Sequence, residues 1–210
     1  AHESGWFPSP LPAVYSSDST RHFREWLGAN SFMANLSLGG SLVSDNVEDY
    51  YLTPYDLGYG HIVKFDHDFV GSEALKVKKD QPHKKKVTLR WGKEDVVRVF
   101  ASMFNENDRF KFLDMPASHY ATCPYDLVSK GGKPVGLSHY PVYTSNVAGW
   151  ISLALVDEEV GAPGTELSLT WGEPDGGTNK PAVERHVQTE ISCSVELCPI
   201  SVSAQETYKI

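Results

Sequence analysis

The acid–histidine–acid triplet Asp66-His67-Asp68 is the first candidate for chemistry, because carboxylates and imidazoles are common ligands of metal ions. On a strand or turn, however, neighbouring side chains point to opposite faces, so these three groups cannot converge on one ion. The sequence also has no second histidine–carboxylate cluster at helical spacing that would complete a coordination shell. We therefore expect no metal site and interpret the triplet as the support of a turn.

The three cysteines, Cys123, Cys193 and Cys198, are the next candidates, as nucleophiles or as disulfide partners. Their small and odd number argues against a disulfide framework and favours reduced thiols in a cytoplasmic protein. Cys193 lies on the apolar face of an alternating segment, so a buried thiol is the expected state. A Ser–His–Asp set stays open on composition, but the sequence has no Gly-x-Ser-x-Gly motif, no P-loop and no Gly-x-Gly-x-x-Gly motif.

Aromatic residues near the start of the chain form the third candidate. Flat rings beside proline-fixed loops suit a flat heteroaromatic ligand, because stacking provides contact area at a small cost in entropy. The alternative is packing in a core or between domains, which we favour for residues 50–59 and weigh equally for Trp6. The set comprises Trp6, Phe7, Tyr15, Tyr50, Tyr51, Tyr55 and Tyr59.

Composition and charge exclude several classes of protein. The 210 residues can form one large or two small domains with a sizeable core. A net charge of −8 argues against a nucleic-acid partner, which requires a basic face. The one basic run, Lys76 to Lys86, is interrupted by Asp80 and Pro82 and is typical of a solvated linker rather than a phosphate-binding patch. No apolar segment approaches the roughly 18 residues of a membrane span, and no signal peptide is visible. We expect a cytoplasmic protein that binds neither nucleic acid nor membrane.

Local signals in the first part of the chain predict a mixed α/β arrangement. The alternating prolines of residues 1–17 fix an extended loop. A helix is predicted to be capped near Asp18 and to end at Gly28, and a second short helix opens after Gly71 and runs through Leu75. Short strands are predicted at "NLSL" and at "GHIVKFD". This part of the chain looks like an incomplete domain.

Strand patterns dominate after the lysine-rich linker. The segment "KKVTLRWG" predicts a strand, and "KEDVVRVFASMF" predicts a helix on the spacing of Val96, Val97, Phe100 and Phe104. Further strands are predicted at "VGLSHYPVYTS", "GWISLALVD", "TELSLTWG" and "AVERHVQTEISCSVEL", separated by glycine-rich turns. The sequence thus predicts an α+β fold in which an antiparallel β-barrel or sandwich forms the C-terminal part.

The last of these strands has the clearest period of two, which is typical of a half-buried antiparallel strand. Its apolar face is predicted to comprise Val187, Ile191, Cys193, Val195 and Leu197. Its polar face is predicted to comprise His186, Gln188, Glu190, Ser192 and Glu196.

The segment "TPYDLGYGHIVKFDHDFVGSEAL" resembles a motif of the glycine-cleavage T-protein (aminomethyltransferase) family, in which Thr-Pro-x-x-x-Gly-x-Gly leads through a strand to Phe-x-Gly-x-Glu-Ala-Leu. The matching positions are Thr53, Pro54, Gly58, Gly60, Phe69, Gly71, Glu73, Ala74 and Leu75. The segment "GGKPVGLSHYPVYTSNVAGWISLALVDEEVGAPGTELSLTW" resembles the C-terminal barrel of that family. The resemblance covers nearly the whole chain.

Within that family, "ESGWFPSPLPAVY", "SLGGSLVSDNVEDYYLTPYDLGYG" and "WGEPDGGTNKPAVERHVQTEI" are most similar to the tetrahydrofolate-dependent aryl-ether O-demethylases. The resemblance implies transfer of a methyl group from a methoxylated aromatic acid, such as vanillate or a methoxygallate, to tetrahydrofolate. It also implies two domains: residues 1–83 as the trailing part of the folate-binding domain plus a linker, and residues 84–210 as the barrel. The segment "YYLTPYDLGYG" would then dock the barrel on the folate domain.

The resemblance implies two cofactor-binding residues in this chain. Trp6 corresponds to a tryptophan that lines the folate pocket, and Glu3 is the second assignment, within the Glu3-Ser4-Gly5 segment. The tyrosine proposed to protonate the departing phenolate lies upstream of Ala1 in the family, so we expect no catalytic residue in this chain. Because a phenolate leaves slowly without a general acid, we expect this chain alone to be catalytically inactive.

Two other interpretations stay open at this point. One is a binding module without chemistry. The other is a glycine-cleavage aminomethyltransferase or another folate-dependent demethylase, which would require a lipoyl-carrying protein partner or a different donor. A truncated domain is also expected to expose a sheet edge and an apolar face, which would favour self-association or binding of a complementary fragment.

Overall fold

The computed structural model describes residues 1–8, 10–177 and 181–207. Ser9, which belongs to the segment "ESGWFPSPLPAVY", lies outside the described residues. The same is true of residues 178–180, which belong to "WGEPDGGTNKPAVERHVQTEI". Helices are α1 Arg21–Trp26, α2 Ser72–Lys79, α3 Lys93–Ser102 and α4 Val202–Thr207. Strands are β1 Leu38–Gly39, β2 Lys85–Trp91, β3 Cys123–Lys130, β4 Lys133–Thr144, β5 Gly149–Val156, β6 Glu166–Trp171 and β7 Thr189–Glu196.

Six of the strands close into an antiparallel barrel in the order β3-β4-β5-β2-β7-β6, with β6 pairing back to β3. The closing register places Val128 opposite Leu169 and Ser129 opposite Ser168. The α+β fold with a C-terminal antiparallel barrel is thereby confirmed. Ring closure gives each of these six strands a neighbour on both sides, so the barrel itself has no open sheet edge. The exposed edge expected of a truncated domain concerns the preceding part of the chain and stays a prediction.

The interior of the barrel is filled by alternate residues of its strands, which form one apolar cluster. Trp91 and Trp171 meet edge to face with ring centroids 5.4 Å apart. The indole N–H of Trp91 donates to Ser152 Oγ at 2.9 Å, and that of Trp171 donates to the carbonyl of Lys111 at 2.8 Å. The polar atoms of these large rings are therefore satisfied inside the core, as burial requires.

The segment of residues 1–60, called the arm below, packs several of its described residues against the outer side of β3, β4 and β5. A second apolar cluster joins Phe7, Leu11, Tyr50 and Leu57 of this arm to residues of the barrel, namely Cys123, Tyr125, Leu137, Leu153 and Leu155. On β5 the even-numbered Ala154 and Val156 belong to the interior cluster, while the odd-numbered neighbours face the arm. Burial on both sides explains why β5 reads as a continuous apolar run.

The arm is fastened to the barrel by backbone pairing as well as by apolar contact. Strand β1 pairs in parallel with the start of β3, placing Leu38 opposite Cys123. Gly40 has φ +87°, and a Cβ at this position would lie 2.2 Å from the carbonyl oxygen of Tyr125. Only glycine allows this close approach. The division into domains 1–83 and 84–210 stays a prediction.

Most predicted elements are confirmed, including α1, α2, α3, β2 and β4 to β7. The strand predicted at "GHIVKFD" is wrong, because Gly60–Ile62 forms a 3₁₀ turn and the chain then continues without strand pairing. Strand β3 has no counterpart among the predicted elements. In α3 the buried face is formed by Val96, Val99 and Ser102, whereas Val97 is exposed; Phe104 lies beyond the end of the helix and is exposed too.

The two predicted faces of the last strand need correction at their ends. Ile191, Cys193 and Val195 are buried as predicted, but Val187 and Leu197 lie outside β7 and are exposed. His186 was predicted on the polar face and is buried. The strand begins only at Thr189, so alternation does not extend to the residues before it.

Within the described residues, no helix is long and apolar enough to cross a membrane.

Candidate functional site

The segment that carries Trp6 begins with a 3₁₀ turn, His2–Ser4, which ends at a glycine in the left-handed region. Gly5 has φ +71°, and its N–H donates to the carbonyl of His2 at 2.9 Å. A Cβ on Gly5 would lie 2.7 Å from Cys198 Sγ. Gly5 therefore lets the start of the arm turn tightly against Cys198.

Phe7 fixes the direction of the segment, because its ring is buried against the barrel while its neighbour Trp6 is 55% exposed. Phe7 stacks on His139 with ring centroids 4.4 Å apart and an angle of 14° between the planes. His139 Nδ1 lies 2.8 Å from the carbonyl oxygen of Pro124, and Nε2 lies 3.2 Å from that of Pro8. Burial lowers the pKa of His139 to about 4.

Trp6 lines a cavity of about 480 Å³ that lies between the first turn, the turn at Tyr59, the start of β2 and the segment after β7. Lys86 Nζ lies 4.3 Å from the centroid of the Tyr59 ring, in a cation–π arrangement. The hydroxyl of Tyr59 is buried and has no hydrogen-bond partner among the described residues. The lining comprises Ala1, Ser4, Gly5, Trp6, Tyr59, His61, Lys86, Cys198 and Pro199.

These properties suit a planar ligand that carries an anionic or polar group. The exposed indole offers a stacking surface, the lysine offers a positive charge, and the tyrosine hydroxyl offers an unused hydrogen bond. The volume of the cavity is in the range of ligand sites. None of the lining residues is an aspartate or a glutamate.

Glu3 does not share this cavity with Trp6. Its carboxylate accepts hydrogen bonds from Thr144 Oγ1 and from Asn146 Nδ2, the latter at 2.9 and 3.1 Å. These bonds lower the pKa of the Glu3 carboxyl. Glu3 instead lines a separate cavity of about 570 Å³ beside Tyr143 and Pro116. Its carboxylate fastens the first turn to the end of β4, and its assignment to cofactor binding stays a prediction.

The acid–histidine–acid triplet is exposed in a bend, as expected for a turn. His67 Nδ1 lies 2.7 Å from Asp66 Oδ1, and the pair is open to solvent. Among the described residues, no group of three or more histidine, cysteine, aspartate or glutamate side chains could hold a metal ion. Cys193 is buried as predicted, and burial raises the pKa of its thiol.

A buried ionic cluster was missed by the sequence analysis. Lys111 Nζ lies 2.9 Å from Glu173 Oε1, and both side chains are at most 3% exposed. Lys111 Nζ also lies 4.8 Å from the ring centroid of Trp171 and 4.9 Å from that of Tyr120. Glu173 Oε1 accepts a further hydrogen bond from the N–H of Gly40 at 3.1 Å. Burial by itself would raise the pKa of Glu173, but its hydrogen bonds and the charge of Lys111 hold that pKa well below its usual range.

His186 completes this cluster, with its Nε2 3.2 Å from Glu173 Oε2. Its Nδ1 lies 2.8 Å from the carbonyl oxygen of Glu184, which can only accept, so Nδ1 carries the proton. Its Nε2 accepts the backbone N–H of Glu173 at 2.9 Å. The cluster joins the loop before β3, the turn after β6 and the arm. No local pattern signals it, because the charged partners are far apart in the sequence.

Comparisons with known proteins give a consistent assignment, although no family model matches the chain. The chain is 48% identical over 206 residues to syringate O-demethylase of Sphingobium sp. (strain NBRC 103272 / SYK-6), covering 98% of this chain and 45% of that protein. It is 31% identical over 188 residues to sesamin methylene transferase of Sinomonas sp. (strain No.22), covering 82% of this chain and 41% of that protein.

Among solved structures, the chain is similar to glycine cleavage system aminomethyltransferase T from Bartonella henselae. The TM-score is 0.43 and the identity 15%, over 71% of this chain and 32% of that chain. The chain spans less than half the length of the two curated relatives, 45% of one and 41% of the other. The match at 48% identity covers nearly every residue of this chain and confirms the resemblance carried by its motifs. The chain therefore belongs to the aminomethyltransferase (glycine-cleavage T-protein) family, together with the aryl-ether O-demethylases.

Proposed function

We propose that this chain forms the part of a tetrahydrofolate-dependent aryl-ether O-demethylase that contacts the folate through Trp6. The full reaction would transfer a methyl group from a methoxylated aromatic acid to tetrahydrofolate. The observation that carries the proposal is the exposed indole of Trp6 at a cavity of about 480 Å³, in a chain that is 48% identical to syringate O-demethylase.

The residues of the cavity fit the chemistry of a folate. A folate has a flat pterin ring, a flat benzoyl ring and glutamate carboxylates. The open face of Trp6 suits either ring, and Lys86 and the Tyr59 hydroxyl supply a charge and a hydrogen bond for polar groups. The Phe7–His139 stack and the glycine turn fix the backbone on both sides of Trp6, which reduces the ordering required on binding.

Tetrahydrofolate would supply the nitrogen that accepts the methyl group. The task of this chain is then to position the acceptor, and positioning provides a large share of the acceleration in such transfers. Departure of the phenolate also needs a general acid. We assign that role to none of the residues of this chain, and we infer that the chain without the remainder of such an enzyme is inactive. The cytoplasmic location expected from the sequence also stays a prediction.

A chimera tests this function. The matching part of syringate O-demethylase is replaced by this chain, and formation of 5-methyltetrahydrofolate from syringate is followed by mass spectrometry. We expect the chimera to be active and Trp6→Ala to lower its kcat/KM at least about tenfold, since base–aromatic stacking of this kind contributes on the order of 1–3 kcal/mol.

Trp26→Ala provides the matched control, because Trp26 is an exposed tryptophan that does not line the cavity. It should leave kcat/KM unchanged. A folded chimera without methyl transfer, or equal losses in the two variants, would contradict the proposal. Transfer from sesamin but not from syringate would assign the chain to methylene donors, as the name of the second relative suggests for that protein.

A further inference from the structure

Unlike Lys76 and Lys84 in the same lysine-rich segment, Lys86 has no acidic partner among the described residues. Lys76 Nζ lies 2.7 Å from Glu73, and Lys84 Nζ lies 2.5 Å from Asp157. For Lys86 no carboxylate among the described residues lies within ion-pair distance, and its ammonium group instead lies over the ring of Tyr59. The ammonium group of this half-buried lysine is therefore not engaged by a carboxylate of the described residues and is available to a ligand.

The cavity beside Lys86 has no acidic residue among those that line it, although the chain as a whole carries a net charge of −8. The buried Tyr59 hydroxyl, which lacks a partner among the described residues, adds a second hydrogen-bond donor on the same side. His61 lines the cavity too. Donors without competing carboxylates favour an anion, and a carboxylate is the anion that lysine and tyrosine bind together through charge-assisted hydrogen bonds.

We propose that Lys86 binds the glutamate carboxylate tail of the reduced folate while Trp6 contacts one of its rings. This inference rests on the proposed function and names the residue that recognises the charged end of the same ligand. Lys86 lies on β2, paired with Leu155 of β5, and is therefore held by the barrel. The site would favour folates that carry at least one free glutamate carboxylate over neutral analogues of the same shape.

Calorimetric titration of the full chain tests the proposal with two probes. One is 5-formyltetrahydrofolate, and the other is its diamide, in which neutral carboxamides replace both glutamate carboxylates. The wild-type chain should bind the acid about tenfold more tightly than the diamide, the range of a charge-assisted hydrogen bond. Lys86→Gln should weaken binding of the acid about tenfold and leave the diamide unchanged. Lys86→Arg should restore most of the preference.

Lys78→Gln removes the same charge from an exposed lysine outside the cavity and should change neither affinity beyond the small effect of net charge. Equal binding of acid and diamide by the wild-type chain would overturn the role of Lys86 and leave the proposed function intact. The role of Lys86 would also be overturned if Lys86→Gln, at an unchanged melting temperature, still bound the acid more tightly than the diamide. Failure of the wild-type chain to bind either probe would overturn this inference, whereas an active chimera would still support the proposed function.

Discussion

The ring of Phe7 lies almost parallel to the imidazole of His139, with the two centroids 4.4 Å apart. Phe7 belongs to the arm and His139 to β4, so this stack fixes the first residues of the arm against the barrel. Because neighbouring residues of an extended segment point to opposite sides, burial of Phe7 directs Trp6 away from the barrel and towards the cavity. The geometry of the candidate site thus depends on a contact that Trp6 itself does not make.

Phe7→Ala should lower the free energy of unfolding by about 3 kcal/mol, because it removes a buried ring and leaves a cavity. Urea denaturation followed by circular dichroism measures this loss. Phe104→Ala is the control, since that ring is 90% exposed, and should change stability by less than about 0.5 kcal/mol. Equal effects in the two variants would show that the Phe7–His139 stack does not stabilise the fold.

The stability of the chain should fall on acidification from pH 6.5 towards pH 5. Burial lowers the pKa of His139 to about 4 in the folded chain from its usual 6.5, so the unfolded chain binds more protons between these values. Groups that face this imidazole include His2, His119, Tyr125 and Tyr140, and the pKa of His2 is likewise lowered to about 4 by burial.

His139→Gln should therefore reduce the slope of unfolding free energy against pH by up to about 1.4 kcal/mol per unit in this window. Urea titrations at several pH values give that slope, which is independent of the overall loss of stability in the variant. His22→Gln, at an exposed position of α1, should retain the wild-type slope. An unchanged slope in His139→Gln would exclude His139 as the titrating group.

Gly5→Ala should destabilise the chain through two separable effects. The left-handed backbone costs about 1 kcal/mol for a residue with a Cβ, and contact with Cys198 Sγ adds to it. Adding Cys198→Ala to Gly5→Ala should remove the steric cost of the contact, whereas the cost of the left-handed backbone should remain. A double-mutant cycle measured by thermal unfolding tests this coupling. Strictly additive effects would mean that the two residues do not constrain each other.

Lys111→Met should cost on the order of 3–5 kcal/mol, because it leaves the Glu173 carboxylate buried without its cation. The double variant Lys111→Met/Glu173→Gln removes both charges and keeps an oxygen for the N–H of Gly40, so it should be more stable than Lys111→Met alone. Chemical denaturation of the two proteins makes the comparison. If the double variant were less stable than Lys111→Met, the cluster would not be held by the ion pair.

The sequence by itself determined the strands and helices that show a regular apolar period or a continuous apolar run. The alternation of Ile191, Cys193 and Val195 and the apolar run of β5 follow from local geometry, and both segments form strands as predicted. Its motifs also sufficed to place the chain in its family, because they rest on residue types at fixed spacing. The family assignment needed no knowledge of the fold.

Only the tertiary structure decided which side of the chain is buried outside the regular strands. The sequence pattern places His186 on a polar face, yet it is buried beside Glu173. Lys111 and Glu173 meet across a separation of 62 residues, and Leu11 meets Tyr125 across 114. Such contacts arise when six strands close into a ring and an arm covers one side of it. Periodicity describes neighbours in the chain and carries no information about these partners.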